Sequence, residues 1–268
     1  MLFLDPPPRS ALYLPASNAR AIEKARTLDA DLVMLDLEDA VPAGDKAEAR
    51  AAAVAAAAEG FGRPVAIRIN AIDSAWHADD LAAVEASAAD AIVVPKVESA
   101  ADLPVTAKPV LAMIETPAGV LAAAAIAAQP GVAGLIAGTN DLANTLRIPA
   151  GVDRAGLSLS LQSIVLAARA ADIVALDGVW NRLDDPEGLE AECREGRAMG
   201  FDGKTVVHPA QIAAANRLFG ASPAELEDAR ALIEAFRGGV GRFRGRMIEG
   251  MHVEAAERLI ARAKMISS

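Results

Sequence analysis

Two short apolar runs in this sequence end on carboxylates. Residues 109–115 read Pro-Val-Leu-Ala-Met-Ile-Glu, and residues 132–141 read Val-Ala-Gly-Leu-Ile-Ala-Gly-Thr-Asn-Asp. Each run has the composition of a buried parallel strand. Residues 117–128 between them are rich in Ala, Leu and Val with a single Pro at the start, which is helix composition. A strand–helix–strand unit makes the two strands parallel, so Glu115 and Asp141 emerge at the same edge of the sheet. Two carboxylates converging there beside glycine backbone form a hard-oxygen site suited to Mg²⁺. The alternative is a pair of solvated loop acids that never meet.

Other charged residues fall at similar places. The run 32–37 leads into Glu38 and Asp39. Side chains alternate along a strand, so Asp36 and Glu38 share a face and Asp39 points elsewhere. Acids this close repel one another, which invites a cation or a shifted pKa; for Asp39, helix capping before Gly44 is the simpler reading. Arg68 interrupts the apolar run 64–70. A charge near the interior needs a partner, and a guanidinium grips carboxylates with two prongs, whether they belong to the protein or to a substrate. Its position near a strand end favours the substrate. Lys96 closes the run 91–96 and is a second potential anion holder. His208 closes the run 201–208, and Pro209 opens a helix as its first residue. Arg20 and Lys24 lie four apart on one helix face, which could hold phosphates or simply meet solvent.

The elements that must position these residues are strands at 10–16, 32–37, 64–70, 91–96, 109–115, 132–138, 173–180 and 201–208, alternating with helices. This pattern predicts a closed (β/α)₈ barrel over residues 1–220. Asp36, Glu38, Arg68, Lys96, Glu115, Asp141 and His208 then gather at strand C-termini, the face where barrel enzymes keep their chemistry. No Gly-x-Gly-x-x-Gly follows the first strand, which argues against a dinucleotide fold. Residues 221–268 read as a C-terminal helical arm. It comprises a helix at 222–236 with a Ser222/Glu225 capping box, a flexible Gly- and Arg-rich segment at 238–245, and an amphipathic helix at 249–260. Residues 145–152 read as a loop.

Composition narrows the function classes. The 268 residues are 53% apolar but only 3% aromatic, so the core is built from Ala, Val, Leu and Ile. A net charge of −10 argues against nucleic acid or an anionic membrane as the main partner. Cys193 is the only cysteine, which excludes an internal disulfide and a thiolate zinc cluster. Residues 1–8 do not have the character of a signal peptide, and no apolar run approaches the roughly 20 residues of a membrane helix. A soluble cytoplasmic protein is expected.

Several stretches, taken in order, carry a resemblance over almost the whole chain. They are Leu-Tyr-Leu-Pro-Ala, Leu-Asp-Leu-Glu-Asp-Ala-Val-Pro, Ile-Arg-Ile-Asn, Pro-Lys-Val-Glu, Met-Ile-Glu-Thr-Pro-Ala-Gly, Gly-Thr-Asn-Asp-Leu, Gly-Lys-Thr-Val-Val-His-Pro and Gly-Arg-Met-Ile-Glu. Together they resemble the citrate lyase beta-subunit-like CoA-ester lyases, which include malyl-CoA and citramalyl-CoA lyases, within the aldolase/citrate lyase family. The resemblance implies a Mg²⁺-dependent carbon–carbon lyase that converts a 3-hydroxyacyl-CoA into an acyl-CoA and a 2-oxo acid such as glyoxylate or pyruvate. A thioester hydrolase on the same scaffold, or a citrate lyase beta subunit working within a complex, are the alternatives. The resemblance further implies a homotrimer or hexamer, with Glu115 and Asp141 as metal ligands and Glu38 and Asp39 supporting the metal's waters. It places the 2-oxo acid carboxylate on Arg68, CoA phosphates on Arg20 and Lys24, and the CoA arm beside His208 and Pro209. Glu249 stands where many relatives have an Asp on an arm closing over a neighbouring subunit's site, and is the candidate acid. Ala137 and Ala175 are small residues that could widen the substrate pocket.

Overall fold

The computed structural model describes residues 4–149 and 151–267. Parts of the expected ranges 1–220, 145–152 and 221–268 therefore lie outside the described residues. Eight parallel strands close into a barrel in sequence order: β1 (Ser10–Pro15), β2 (Leu32–Asp36), β3 (Val65–Arg68), β4 (Ala91–Val94), β5 (Val110–Ile114), β6 (Val132–Ala137), β7 (Val174–Asp177) and β8 (Gly203–Val206). The ring closes by pairing Ser10–Leu12 with Lys204–Val206. Outside it run α1 (Ala19–Ala25), α2 (Lys46–Glu59), α3 (His77–Glu85), α4 (Pro117–Ala127), α5 (Thr139–Thr145), α6 (Ser158–Ala170), α7 (Pro186–Met199) and α8 (Pro209–Phe219).

Strand parity divides the core in two. One set of side chains, including Ala11, Met34, Val93, Leu111, Ile136 and Leu176, fills the barrel interior. The alternate set, including Leu12, Val33, Ile67, Ile92, Ala112 and Leu135, meets the helices. Burying this aliphatic surface at about 25 cal/mol per Å² supplies the main drive to fold. The many alanines let helices sit close to the sheet, so few aromatic side chains are needed to fill space.

Two local features differ from expectation. Asp141 lies just past its strand, but in the first turn of α5, a short helix that follows β6 directly and that the sequence did not predict. The 238–245 segment also contains structure. Gly241–Phe243 (β9) pairs antiparallel with Arg246–Ile248 (β10). Arg244 and Gly245 both adopt positive φ, the geometry of a tight two-residue hairpin turn.

After α8 the chain forms α9 (Pro223–Ala235), this hairpin and α10 (Gly250–Ser267). Arg262 of α10 donates to the carbonyls of Pro7 and Asp202, just before β1 and β8. The end of α10 is therefore fixed to the N-terminal end of the barrel, opposite the strand C-termini. No helix among the described residues is long and apolar enough to cross a membrane.

Candidate active site

At the strand C-termini a cavity of about 400 Å³ opens. Asp36, Asp39, Arg68, Glu115 and Asp141 line it, with Tyr13 and Met113 among the apolar walls. Asp36 and Arg68 are registered partners on β2 and β3, and parity turns both inward. Arg68 Nε and Nη2 each reach an Asp36 oxygen at 2.7 Å, and Nη1 lies 2.8 Å from Glu38 Oε2. The guanidinium stacks over the Tyr13 ring at 5.0 Å from its centroid. The partner of Arg68 in the folded chain is thus a pair of protein carboxylates. The planar fork is held rigidly at the cavity floor, where it still borders the open space.

Asp36 also accepts from the backbone N–H groups of Glu38 and Ala40, which fixes the turn after β2. Lys46 donates to the Leu37 and Glu38 carbonyls and to Asn70, bracing the same turn from below. Glu38 is consequently buried, whereas Asp39 is 60% exposed on its side chain and faces the cavity. Burial raises the Glu38 carboxyl above its usual range, against the opposing pull of Arg68 and Lys96.

Glu115 follows β5 and is 2% exposed. Its Oε1 accepts from the Lys96 backbone N–H at 2.7 Å. Burial first, and the Glu38 charge second, push its carboxyl up to about 7. Gly138 makes room for it: a Cβ there would lie 2.2 Å from Glu115 Cβ and 2.5 Å from Oε2. Lys96, expected as an anion holder, sits among the protein's own acids. Its ammonium is 2.7 Å from Glu38, 3.8 Å from Asp39 and 3.9 Å from Asp141.

These residues fit a hard divalent cation. Asp36, Glu38, Asp39, Glu115 and Asp141 outnumber Arg68 and Lys96, so the mouth carries uncompensated negative charge. Glu38 Oε2 is buried and, despite its closeness to Arg68, lacks an aligned hydrogen bond. The donors are all oxygen, as Mg²⁺ prefers. Among the described residues no group of three or more His, Cys, Asp or Glu side chains is gathered to hold a metal ion; Glu115 and Asp141 both line the cavity.

Other expected site residues lie apart from this cluster. Arg20 and Lys24 are exposed on α1, next to the end of β1. His208 caps α8: its Nδ1 accepts from the Ala210 N–H, and the His208 N–H donates to Gln211 Oε1. Pro209 is the first residue of that helix. Val207, one residue before His208, lines the cavity. Glu249 does not line it; its backbone N–H donates to His252 within the arm. Ala137 and Ala175 face the helical layer and not the pocket, because their strand positions have outward parity. Tyr13 and Met113 are cavity residues that the sequence reading passed over. The alternation of β1 and β5 carries the signal, since both share inward parity with Ala11 and Leu111.

The profile of the HpcH/HpaI aldolase/citrate lyase family matches residues 9–209, the whole barrel through the start of α8. The chain belongs to this family. It is 43% identical to a (3S)-malyl-CoA thioesterase of Cereibacter sphaeroides, over 98% of this chain and 96% of the relative. It is 36% identical to a citrate lyase subunit beta-like protein of Deinococcus radiodurans, over 97% and 96%. Among solved structures, it resembles the protein CitE from Mycobacterium tuberculosis, in complex with magnesium, acetoacetate and coenzyme A. The TM-score is 0.83 at 33% identity, covering 95% of this chain and 97% of CitE. HpcH/HpaI membership makes the chain an enzyme of the CoA-ester lyase or thioesterase kind.

Proposed function

We propose that the chain is a Mg²⁺-dependent lyase. It cleaves, or in reverse forms, the carbon–carbon bond of a 3-hydroxyacyl-CoA such as malyl-CoA or citramalyl-CoA, giving an acyl-CoA and glyoxylate or pyruvate. The observation that carries this reading is the excess of carboxylate oxygens around a cavity floored by a clamped arginine. The magnesium, acetoacetate and coenzyme A of the CitE complex support it.

Glu115 and Asp141 hold the ion, and Glu38 and Asp39 orient its waters. Bound there, Mg²⁺ supplies Lewis-acid polarisation of substrate oxygens. Arg68 receives the carboxylate of the 2-oxo acid half, with Asp36 fixing the plane of the fork so that little freedom is lost on binding. In the cleavage direction a cavity-lining carboxylate takes the C3 hydroxyl proton and the C2–C3 bond breaks. C3 becomes the carbonyl of the 2-oxo acid, and the electron pair passes to the thioester as an enolate. A proton is then delivered to C2. Arg20 and Lys24 take the CoA phosphates, and the His208–Pro209 corner borders the CoA arm.

The family resemblance supports Glu249 as the proton donor to a neighbouring copy, in a homotrimer or hexamer, and its place outside its own cavity agrees with that reading. Replacing Glu249 with Gln lowers turnover and leaves Mg²⁺ affinity unchanged. Unchanged turnover would reduce the arm to a structural part.

Hydrolysis of the thioester is the second reading, favoured by the 43% identity to a (3S)-malyl-CoA thioesterase. Mass analysis of products from (3S)-malyl-CoA and citramalyl-CoA, with Mg²⁺ and with EDTA, decides. An acyl-CoA together with a 2-oxo acid supports cleavage. Free CoA with the hydroxy acid intact supports hydrolysis. No Mg²⁺-dependent product from either thioester defeats both.

A further inference from the structure

Lys96 stands out for the number of acids it touches through two different groups. Its backbone N–H holds Glu115 Oε1 at 2.7 Å. Its ammonium pairs with Glu38 Oε1 at 2.7 Å and lies within 4 Å of both Asp39 and Asp141. The residue follows Pro95 after β4, at φ 52°, a left-handed conformation that side-chain-bearing residues seldom adopt. That backbone turn aims both donors at the acids.

We propose that Lys96 is the resident counter-ion of the metal site: its ammonium holds the mouth acids together before Mg²⁺ arrives and withdraws from Asp39 and Asp141 when the ion binds. The inference rests on the reading that Glu115 and Asp141 hold the ion. Carboxylates this close repel, and without a cation they would drive one another apart. The two cations at the mouth are not equivalent. Arg68 is 9% exposed on its side chain, doubly bonded to Asp36 and packed on Tyr13, so it has no path of retreat. Lys96 is 40% exposed on its side chain and ends in a point charge on a flexible stem. It can leave toward solvent while its N–H stays on Glu115. The ammonium and Mg²⁺ compete for the same oxygen lone pairs, so the lysine weakens metal binding and keeps the site assembled meanwhile.

The test uses the full chain stripped with EDTA, comparing wild type with Lys96→Met and Lys96→Gln by Mg²⁺ titration calorimetry and thermal melting. Both variants should bind Mg²⁺ at least about tenfold more tightly. Their metal-free forms should melt earlier than wild type and gain more on adding Mg²⁺. A second measurement needs no variant. Amine acylation of wild type, read by peptide mass spectrometry, should modify Lys96 several-fold faster once Mg²⁺ is present. Wild-type Mg²⁺ binding with no tightening in either variant, or acylation indifferent to the ion, overturns the counter-ion role alone. A wild-type chain that takes up no Mg²⁺ overturns the metal reading, and the role of Lys96 with it.

Discussion

Two clusters of charge sit within the same barrel, one at its mouth and one behind β7 and β8. Behind the strands, Lys204 pairs with Asp177 at 3.2 Å and with Glu192 at 2.6 Å, and Arg154 pairs with Asp177 at 2.8 Å. Asp177 and Lys204 are registered neighbours with outward parity, so they meet α7 and not the barrel interior. The two more buried carboxylates, Asp177 and Glu192, match the two cations, while a third, Glu195, 2.8 Å from Arg154, is 42% exposed on its side chain; neither Asp177 nor Lys204 is exposed, and none of these residues lines the mouth cavity. At the mouth the acids exceed the bases, Glu115 is held near neutrality, and space remains beside them. Buried charge that is fully compensated fixes a fold. Buried charge left over beside a cavity awaits a ligand.

That contrast can be broken from either side. The largest effect should come from the compensated cluster. Lys204→Met leaves Asp177 and Glu192 short of a partner, and chemical denaturation should register a loss of about 3–5 kcal/mol while the folded variant keeps wild-type Mg²⁺ affinity. A smaller effect appears at the mouth as a pH slope. The Glu115 carboxyl stands at about 7 in the folded chain, above its ordinary value of 4.5. Between those values the folded state keeps a proton that the unfolded state has lost, so the metal-free protein loses stability as pH rises through that window. The contribution is on the order of 3 kcal/mol, and Glu115→Gln should flatten it in denaturation curves collected across the range. The smallest effect is steric. Gly138→Ala puts a methyl against Glu115, and calorimetry should show Mg²⁺ binding weakened by roughly tenfold, with a loss of about 1–3 kcal/mol in stability. Unaltered Mg²⁺ binding in that variant would show that the Glu115 position matters little.

Much of the barrel was legible because its signal is local. Each strand is a short apolar run, several of them followed by a charged residue, and each run can be marked without knowing its neighbours. The same logic put Glu38, Glu115 and Arg68 at the mouth. What the runs do not encode is pairing across strands. The clamp between Asp36 and Arg68 depends on the register of β2 against β3, so Arg68 read first as a ligand for a substrate carboxylate and only second as a partner of a protein one. Lys96 was legible as an anion holder but its partners were not, because which acids surround it depends on how three separate loops fold over one another. The helix holding Asp141 was missed because Thr139–Thr145 is short and polar, with no apolar stripe to reveal its period. The hairpin at 241–248 hid behind glycines that read as flexibility, although Arg244–Gly245 is a turn.

The central claim is that one magnesium ion is held between the acids that follow β5 and β6. Calorimetric titration of Mg²⁺ into the EDTA-stripped chain, repeated with Glu115→Ala and with Asp141→Ala, tests it most directly. The account predicts one ion per chain in the wild type and no measurable uptake in either variant, with the fold intact by circular dichroism. Undiminished binding in both variants would contradict it.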